Sequence, residues 1–497
     1  MTLREPPRAP RGDLVDGRFV VPDSPDGELV CVSPADLDDA IGTWPYAVAH
    51  AAASVDAARA ALASWRRARP EIRAGHLRAY AFALKARREP MSVAIARAIG
   101  KPLWEARTEV DAMIAKVAIT LGAGLDLVRD QTRPDGTAIR YRPVGVCAVI
   151  GPFNFPGHLA NGHLVPALAT GNTVVYKPSE RAPELAELMA ECFVDAGFPG
   201  GVVNVVQGPR AVAQALVENG SVDAVMFTGS TDVGRAILRA SAHWPGRMVA
   251  LEMGGHNAAI VLDDADLSHA AREIAFSAYV TAGQRCTATR RVLVHRSVAE
   301  ALMARLAVSA RHTRVGPPDE DDVFLGPVIT EQARDHAFAA AAQLAGTHEA
   351  VVPIRIPRLP VRGHYLSPSL YVRRTPASYH PHECAELFAP VLTLELVESD
   401  DEAVARANAS EYGLACSVFT ARAERFDAIA DELDVGVCNW NRGTVGSSSQ
   451  LPFGGVKRSG NHRPAGLVSV QYCVDPVAQI RQERPVTTPL PPGLRVG

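Results

Sequence analysis

The sequence predicts an α/β protein built on two parallel sheets, and three observations support this fold class. From Tyr141 onward, strand-like runs alternate with helical runs as far as the segment MVALEM at 248–253. Alternation of this kind is typical of a parallel sheet wrapped by helices. The same alternation restarts after Gly255. The apolar strands lack a clean period of two, which fits sheets that are buried on both faces.

The segments before the first alternating region have their own local patterns. Residues 15–45 read as short strands and turns, and apolar residues at helical spacing predict a helix over 48–66. Two further helical runs cover 71–99 and 102–128, with a break near Gly100. We assign most of their apolar side chains to core packing.

The second α/β region is predicted over 253–445. Between Val315 and Leu370 it contains Gly/Pro-rich loops and one helix at 330–345. Beyond it, the chain turns irregular, with a strand-like VSVQYCV and a Pro-rich tail. No internal repeat is visible.

Composition limits the classes of function. Of the 497 residues, 47% are apolar and 21% are charged, as in an ordinary soluble globular protein. A net charge of −3 gives no reason to expect nucleic acid or a membrane surface as a partner. Eight scattered cysteines without a CxxC pair argue against zinc and disulfides, so we expect no metal and a reducing cytoplasm. Neither a secretory signal nor a membrane-spanning run is recognisable.

The stretch from 250 to 290 carries the two strongest candidates for catalysis. Glu252 ends an apolar strand-like run, and Cys286 sits in a loop of small and polar residues directly after Arg285. A nearby cation lowers the pKa of a thiol, and the thiolate is its reactive form. A carboxylate near such a nucleophile can activate water to hydrolyse a thioester. The pair therefore predicts a nucleophile and a general base at opposite ends of one helix.

The turn GPFNFPGHLANGH at 151–163 follows a predicted parallel strand, at the edge where such sheets bind ligands. The amide of Asn154 is suited to donate to a developing oxyanion. On this stretch alone, a structural turn asparagine remains the favoured alternative.

Two further strand ends suggest a dinucleotide. Lys177 and Glu180 are suited to ribose hydroxyls, and the carboxylate would repel a 2′-phosphate, which favours NAD over NADP. The alternative is a helix start with Ser179 as its N-cap. In FTGSTDVG at 227–234, Gly229 and Gly234 flank a helix start, where backbone N–H groups attract phosphate; a plain glycine-lined turn is equally open.

The order of the motifs resembles the aldehyde dehydrogenase family. GPFNFPG, KPSE, FTGSTDVG, LEMGG, GQRCT, ELFAP, NWN and PFGGVKRSG occur in the family's order and cover nearly all of 45–475. The resemblance implies that Cys286 is the nucleophile, Glu252 the general base and Asn154 the oxyanion donor, together with the backbone N–H of Cys286. It also implies a set of cofactor contacts: Lys177, Ser179, Glu180, Gly208, Gly229, Ser230, Gly234, Glu386 and Phe388.

The resemblance further implies the chemistry. Cys286 attacks an aldehyde, Asn154 holds the oxyanion, hydride passes to NAD (with NADP as the alternative), and Glu252 activates the water that releases the acid. Family members that transfer the acyl group to coenzyme A generally lack this glutamate, so hydrolysis is favoured.

The implied architecture has three parts. Residues 1–123 and 143–252 form a Rossmann-type dinucleotide-binding domain, and residues 253–445 form an α/β catalytic domain. Residues 124–142 and 466–497 form a small β element for oligomerisation. Because a protruding strand leaves an unpaired edge, a homodimer or homotetramer is expected.

A narrower resemblance points to the substrate. KPLWEARTEVDAMIAKVAIT, TAGQRCTATRR and SGNHRP look like enzymes of bacterial arginine catabolism that oxidise N-succinylglutamate 5-semialdehyde. Since this substrate carries two carboxylates, a cationic pocket is expected, because Arg side chains match carboxylates. The candidate substrate contacts are Arg285, Arg442, Phe453, His462 and Arg463.

Several positions depart from that group, namely His256, Ala160, Ala389 and the segment 20–50. The departures leave other substrates open: glutamate semialdehyde, succinate semialdehyde or an aliphatic aldehyde. A non-catalytic cofactor-binding protein is the less favoured alternative.

Overall fold

The computed structural model describes residues 3–4, 6–374, 386–482 and 489–496, and two seven-stranded sheets dominate it. The predicted α/β class is confirmed. Cys384 lies outside the described residues, as does part of the predicted oligomerisation element.

The first sheet is built from the amino-terminal half of the chain. Its strand order is β11-β10-β7-β8-β9-β1-β2, with the first five parallel and β1 antiparallel to both of its neighbours. Every residue of β7, β8 and β10 is buried, which explains the missing period of two. In chain order the elements are β1 (Asp13–Val15), β2 (Arg18–Val20), β3 (Gly27–Ser33), β4 (Asp36–Tyr46), α1 (Ala49–Arg67), α2 (Pro70–Ala86), α3 (Arg88–Ile99), α4 (Leu103–Ile119), β5 (Gln131–Thr132), β6 (Thr137–Pro143), β7 (Val146–Ile150), α5 (His158–Thr170), β8 (Thr173–Lys177), α6 (Pro183–Asp195), β9 (Val203–Val205), α7 (Arg210–Glu218), β10 (Ala224–Thr228), α8 (Thr231–Ser241) and β11 (Met248–Glu252).

The second sheet follows directly. Its order is β14-β15-β16-β13-β12-β18-β19, and only β14 runs antiparallel to its neighbour. Its elements and those beyond it are β12 (Asn257–Val261), α9 (Leu267–Tyr279), β13 (Thr289–His295), α10 (Arg296–His312), α11 (Glu331–Leu344), β14 (Glu349–Val352), β15 (Ser369–Arg373), β16 (Val391–Val397), α12 (Asp400–Asn408), β17 (Tyr412–Gly413), β18 (Ala415–Phe419), α13 (Ala423–Glu432), β19 (Val437–Trp440), β20 (Pro452–Phe453), β21 (Val456–Lys457), β22 (Ala465–Gly466) and β23 (Val474–Ile480).

A small third sheet joins distant parts of the chain. Strand β23 pairs antiparallel with β6, which pairs with β5, so the order is β23-β6-β5. One edge of β23 has no neighbouring strand among the described residues. At its end, Ile480 is 86% exposed.

Two predicted helices differ from the structure. The run over 71–99 is two helices, α2 and α3, because Pro90 has no N–H to continue the hydrogen-bond ladder and fits only the first turn of a new helix. The run over 102–128 is α-helical only to Ile119. A π-helical turn over 120–124 follows, in which Gly122 has non-helical backbone angles.

The two large sheets meet end to end at one place. The carboxyl ends of β7, β8, β10 and β11 lie there, together with the residues that lead into the amino ends of β12, β13 and β16. The carboxyl edge of a parallel sheet is the usual ligand edge. No helix in the described part of the chain is long and apolar enough to cross a membrane.

Candidate active site

A cavity of about 520 Å³ opens at the meeting of the two sheets. Asn154, Glu252 and Cys286 all line it, although they come from three separate parts of the chain. Asn154 follows β7, Glu252 ends β11, and Cys286 precedes β13. The structure therefore brings together the three residues predicted to be catalytic.

A sharp turn presents Cys286 to this cavity. Thr281, Ala282 and Gly283 have positive φ angles of 58°, 53° and 69°, which reverse the chain at the end of α9. A side chain at Gly283 would collide with the carbonyl group of Ala389. The turn is thus packed tightly against the loop that carries Glu386.

Polar side chains fix the nucleophile loop from both sides. Asn257 donates from Nδ2 to the carbonyl oxygens of Cys286 and Ala288, at 2.7 and 2.9 Å. From the opposite side, Asn154 Nδ2 donates to the carbonyl oxygen of Gln284 at 2.8 Å. An asparagine amide has two N–H groups, so one remains for an oxyanion. The sequence analysis missed Asn257, although its position just after LEMGGH was a usable signal.

Glu252 is almost fully buried, with 1% of its surface exposed. No residue that the structure describes hydrogen-bonds to either carboxylate oxygen. Burial raises the pKa of Glu252 well above its ordinary value, and the charge of Arg463 counteracts this only in part. An unpaired buried carboxyl with a raised pKa is suited to accept a proton from water.

The Cys286 thiol has a raised pKa, contrary to the sequence argument. Burial is the main cause, and the charges of Glu252 and Glu386 add to it; the Thr287 N–H and Arg285 lower the pKa by less. The charge of Arg285 lowers the pKa of the thiol only a little because its side chain is paired elsewhere.

Arg285 points away from the thiol, into a buried ion pair. Its Nη2 lies 2.8 Å from Oε1 of Glu105, whose side chain is fully buried, and its Nε donates to Thr281 Oγ1 at 2.7 Å. Thr281 also donates to Glu105. The cation thus stabilises its own loop more than it does the thiolate.

Helix α4 supplies a second buried carboxylate, Glu109, to the turn at 151–163 that carries Asn154, here called the oxyanion turn. Glu109 Oε1 accepts from the backbone N–H groups of Gly157 and His158, at 2.9 and 3.1 Å. Its other oxygen lies 2.7 Å from Lys101 Nζ, and both side chains of this ion pair are buried. Sequence reasoning overlooked this helix as part of the site. The signal was two glutamates four residues apart, Glu105 and Glu109, on the face that also carries Val110.

Most of the predicted cofactor residues line the cavity. These are Lys177, Ser179, Glu180, Gly229, Ser230, Glu386 and Phe388. Lys177 is buried and lies 3.3 Å from the half-exposed Glu180. Ser230 caps α8 by accepting from the N–H of Val233 at 3.4 Å.

Gly208 and Gly234 do not line this cavity. Gly208 has a φ of 145° and packs against Val212 at the start of α7. A side chain at Gly234 would collide with Met253. At both positions, close packing against a neighbouring side chain therefore explains why the residue is glycine.

The site fits a dinucleotide. A groove of about 420 Å³ between α7 and α8 shares Ile150, Arg210, Ala213 and Val233 with the main cavity, and its apolar side chains offer a packing surface for a flat ring. The amino terminus of α8 lies between this groove and Cys286, where backbone N–H groups favour phosphate. Glu386 and Phe388 lie at the Cys286 end.

The five predicted substrate contacts are not among the cavity-lining residues. Arg442 is exposed after β19, and Phe453 is half-buried in β20. His462 lines a separate cavity near the amino ends of β10 and β11. Arg463 donates to the carbonyl oxygen of Gly455 at 2.7 Å and is the one whose charge reaches Glu252. Arg285, as described, is paired with Glu105.

Comparisons with known proteins agree with this geometry. Residues 20–476 match the aldehyde dehydrogenase family. An N-succinylglutamate 5-semialdehyde dehydrogenase of Erwinia tasmaniensis is 42% identical over 435 residues, covering 87% of this chain and 88% of that protein. One of Chromohalobacter salexigens is 39% identical over 490 residues, covering 97% and 98%.

Solved structures agree as well. An aldehyde dehydrogenase of Pseudomonas syringae, in complex with NAD+ and octanal, superposes with a TM-score of 0.89 at 31% identity, covering 94% of this chain and 96% of that one. The predicted aldehyde dehydrogenase-like α/β fold is therefore confirmed.

Proposed function

This chain belongs to the aldehyde dehydrogenase family, and we propose that it oxidises N-succinylglutamate 5-semialdehyde to the acid with NAD. That it is an oxidoreductase acting on an aldehyde, with an NAD-type cofactor, follows from the family. The observation that supports hydrolysis of a cysteine-bound acyl group is the meeting of Cys286, Glu252 and Asn154 in one cavity.

In the proposed mechanism each residue has one role. The Cys286 thiolate attacks the aldehyde carbon, and Asn154 donates its free N–H to the oxyanion. NAD, when bound, accepts the hydride, which leaves a thioester on Cys286. Glu252 takes a proton from water, the resulting hydroxide adds to the thioester carbon, and the C–S bond breaks to release the acid and the Cys286 thiolate.

The proposal of NAD over NADP rests on Glu180. Its carboxylate lies beside Lys177 at the carboxyl end of β8, where it would accept from ribose hydroxyls and repel a 2′-phosphate. Lys177, Ser230 and Glu386 are the further proposed contacts of the cofactor.

The substrate is proposed from the curated relatives, which are named for N-succinylglutamate 5-semialdehyde and are about 40% identical over most of the chain. Its two carboxylates would favour a site with cations nearby, and Arg463, whose charge lowers the pKa of Glu252, is the anchor we propose. The alternatives are glutamate semialdehyde, succinate semialdehyde and an aliphatic aldehyde.

A substrate panel tests this proposal. Purified protein is mixed with NAD or NADP and each of the four aldehydes, and nicotinamide absorbance is followed, with Cys286→Ala as the control. We expect the highest kcat/KM with the succinylated aldehyde and NAD, and no turnover by Cys286→Ala. A preference for another aldehyde would refute the substrate but keep the mechanism. Cofactor binding without turnover on any aldehyde would favour the non-catalytic alternative.

We further propose the predicted domain bounds, a homodimer or homotetramer, and a cytoplasmic location. The last strand of the first sheet in chain order ends at residue 252, and the second sheet begins at residue 257, which supports the boundary at 253. The free edge of β23 supports assembly. The seven described cysteines are all free, which suits a reducing compartment.

A further inference from the structure

Arg290 lies in β13, four residues after Cys286, and only 4% of its surface is exposed. Its Nη2 donates to the carbonyl oxygen of Arg285 at 3.0 Å, and its Nη1 donates to that of Ala389 at 3.3 Å. The first carbonyl belongs to the residue before the nucleophile. The second belongs to the loop that carries Glu386. The Arg290 side chain is therefore hydrogen-bonded to both the loop that carries Cys286 and the loop that carries Glu386.

The same guanidinium faces the groups proposed to contact the cofactor. Its central carbon lies 5.5 Å from the ring centre of Phe388. Burial raises the pKa of Glu386 to about 7, and the charge of Arg290 is the main influence in the opposite direction, followed by the N–H of Gly255 at 2.9 Å from Oε1. The position of Arg290 thus affects both the geometry and the charge at Glu386.

We propose that Arg290 is a positioning residue. It fixes the loop that carries Cys286 against the loop that carries Glu386, and it supplies the positive charge that faces Glu386. The inference rests on the proposed function, because that function places Glu386 in contact with the cofactor.

A second cavity, of about 130 Å³, lies beside Arg290 and Glu386. Of the described residues that line it, Arg290 is the only Lys or Arg, and the other titratable ones are His256, His336 and Glu386 itself. Burial lowers the pKa of His256 well below its ordinary value, so its imidazole is neutral near pH 7. The charge of Glu386 also raises the pKa values of Cys286 and Tyr412.

Arginine suits this position better than lysine. A guanidinium has several N–H groups in one plane and can reach two carbonyl oxygens at once, whereas an ammonium is a compact point charge. Arg290→Lys therefore keeps the charge and weakens the bridge between the loops. Arg290→Met removes both the charge and the bridge between the loops.

Arg291 offers a matched control on the same strand. It is also buried, and it donates to the carbonyl oxygens of Arg406 and Ala407 on α12, each at 2.7 Å, and to that of His256 at 3.4 Å. Arg291→Lys therefore disturbs a buried arginine and its carbonyl bonds without touching either loop bond of Arg290.

The test combines NADH titration by fluorescence, between pH 6 and 9, with the rapid burst of NADH on mixing enzyme, NAD and aldehyde. We expect Arg290→Met to raise the Kd for NADH about tenfold, as for one lost charge-assisted contact, and to weaken binding further as the pH falls. Arg290→Lys should keep the pH dependence of the parent but slow the burst about tenfold. Arg291→Lys should change neither readout.

The inference would be overturned if Arg290→Met folds, binds NADH with the parent's Kd at every pH and shows the parent's burst rate. If that variant does not fold, Arg290→Lys decides, and a parent-like burst rate overturns the bridging role. The NADH titration needs no aldehyde. A parent enzyme that turns over no aldehyde, while its NADH binding still responds to Arg290→Met, would thus refute the proposed function and keep the role of Arg290.

Discussion

At the residue scale, Glu252 combines catalytic use with a cost in stability. Both of its carboxylate oxygens are buried without a hydrogen-bond partner in the described part of the chain. An ionised group in that setting is poorly solvated, and stability is commonly lost at sites held ready for a reaction. The same burial that makes the carboxyl a strong base therefore weakens the fold when the carboxyl ionises.

This relation predicts how the melting temperature depends on pH. Burial raises the pKa of folded Glu252 above that of the unfolded chain. The stability from the protonated group is complete below the unfolded pKa and is lost as the pH rises through the folded pKa. Glu252→Gln should therefore melt above the parent at pH 8, by about 1 °C for about 1 kcal/mol in a chain of 497 residues, and the difference should shrink toward pH 5. Calorimetry at both pH values measures this; an equal gap at each would contradict it.

Glu180 gives a second prediction at this scale. Removing its charge in Glu180→Gln leaves Lys177 free to meet a 2′-phosphate. We expect kcat/KM with NADP to rise about tenfold relative to NAD, since one like-charge contact is lost. Asp111→Asn, an exposed carboxylate paired with Arg88 on the outer face of α4, serves as the control. An unchanged cofactor ratio in Glu180→Gln would remove Glu180 from the ribose site.

At the element scale, helix α4 holds two catalytic segments in place. Glu105 binds the nucleophile loop through Arg285, and Glu109 binds the oxyanion turn through the N–H groups of Gly157 and His158. Because the turn has no other described partner for those two N–H groups, α4 determines where Asn154 stands relative to Cys286.

Glu109→Gln tests this role. The change leaves Lys101 buried without its counter-ion, so we expect a loss of about 3–5 kcal/mol in the free energy of unfolding and a lower kcat. Asp111→Asn lies on the same helix and should change neither quantity. Replacing both members, with Lys101→Met and Glu109→Leu, should recover most of the stability but not the kcat. If the double variant recovered both the free energy of unfolding and the kcat, this ion pair of α4 would contribute to stability alone and not to catalysis.

The sequence predicted the strands and helices of both sheets because their apolar runs and turn residues are local signals. It also predicted Cys286, Glu252 and Asn154 as one site through the order of the motifs. It did not predict Arg290, Asn257 or Glu109 as parts of that site, since their roles depend on carbonyl and N–H groups far away in the chain. The direction of Arg285 was missed for the same reason: adjacency to Cys286 says nothing about where a long side chain points.

At the scale of the whole molecule, the reaction site lies between two sheets that meet through opposite edges. The first sheet offers its carboxyl edge, with Lys177, Thr228 and Glu252, and the second its amino edge, with Cys286 and Glu386. The cofactor groove and the nucleophile thus belong to different sheets. Their relative position depends on side chains that bridge the gap, such as Asn154, which donates from the loop after β7 to the carbonyl oxygen of Gln284.

The third sheet gives a prediction about assembly. Ile480 at the end of β23 is 86% exposed, as expected for a residue that a partner subunit covers. Ile480→Asp should shift sedimentation of the proposed oligomer toward monomer, because a charge would be buried in the interface. Phe82→Asp changes an exposed apolar residue on α2 and should leave the assembly unchanged. A parent protein that is an active monomer would contradict the proposed oligomer.

The most direct test of the central claim is the mass of the Glu252→Gln variant after mixing with NAD and N-succinylglutamate 5-semialdehyde. Without its base, the enzyme should complete one hydride transfer and stop at the thioester. We therefore predict one equivalent of NADH and an acyl group on the peptide that contains Cys286, absent from Cys286→Ala. Undiminished turnover of Glu252→Gln with no acyl group on Cys286 would contradict the assignment of nucleophile and base.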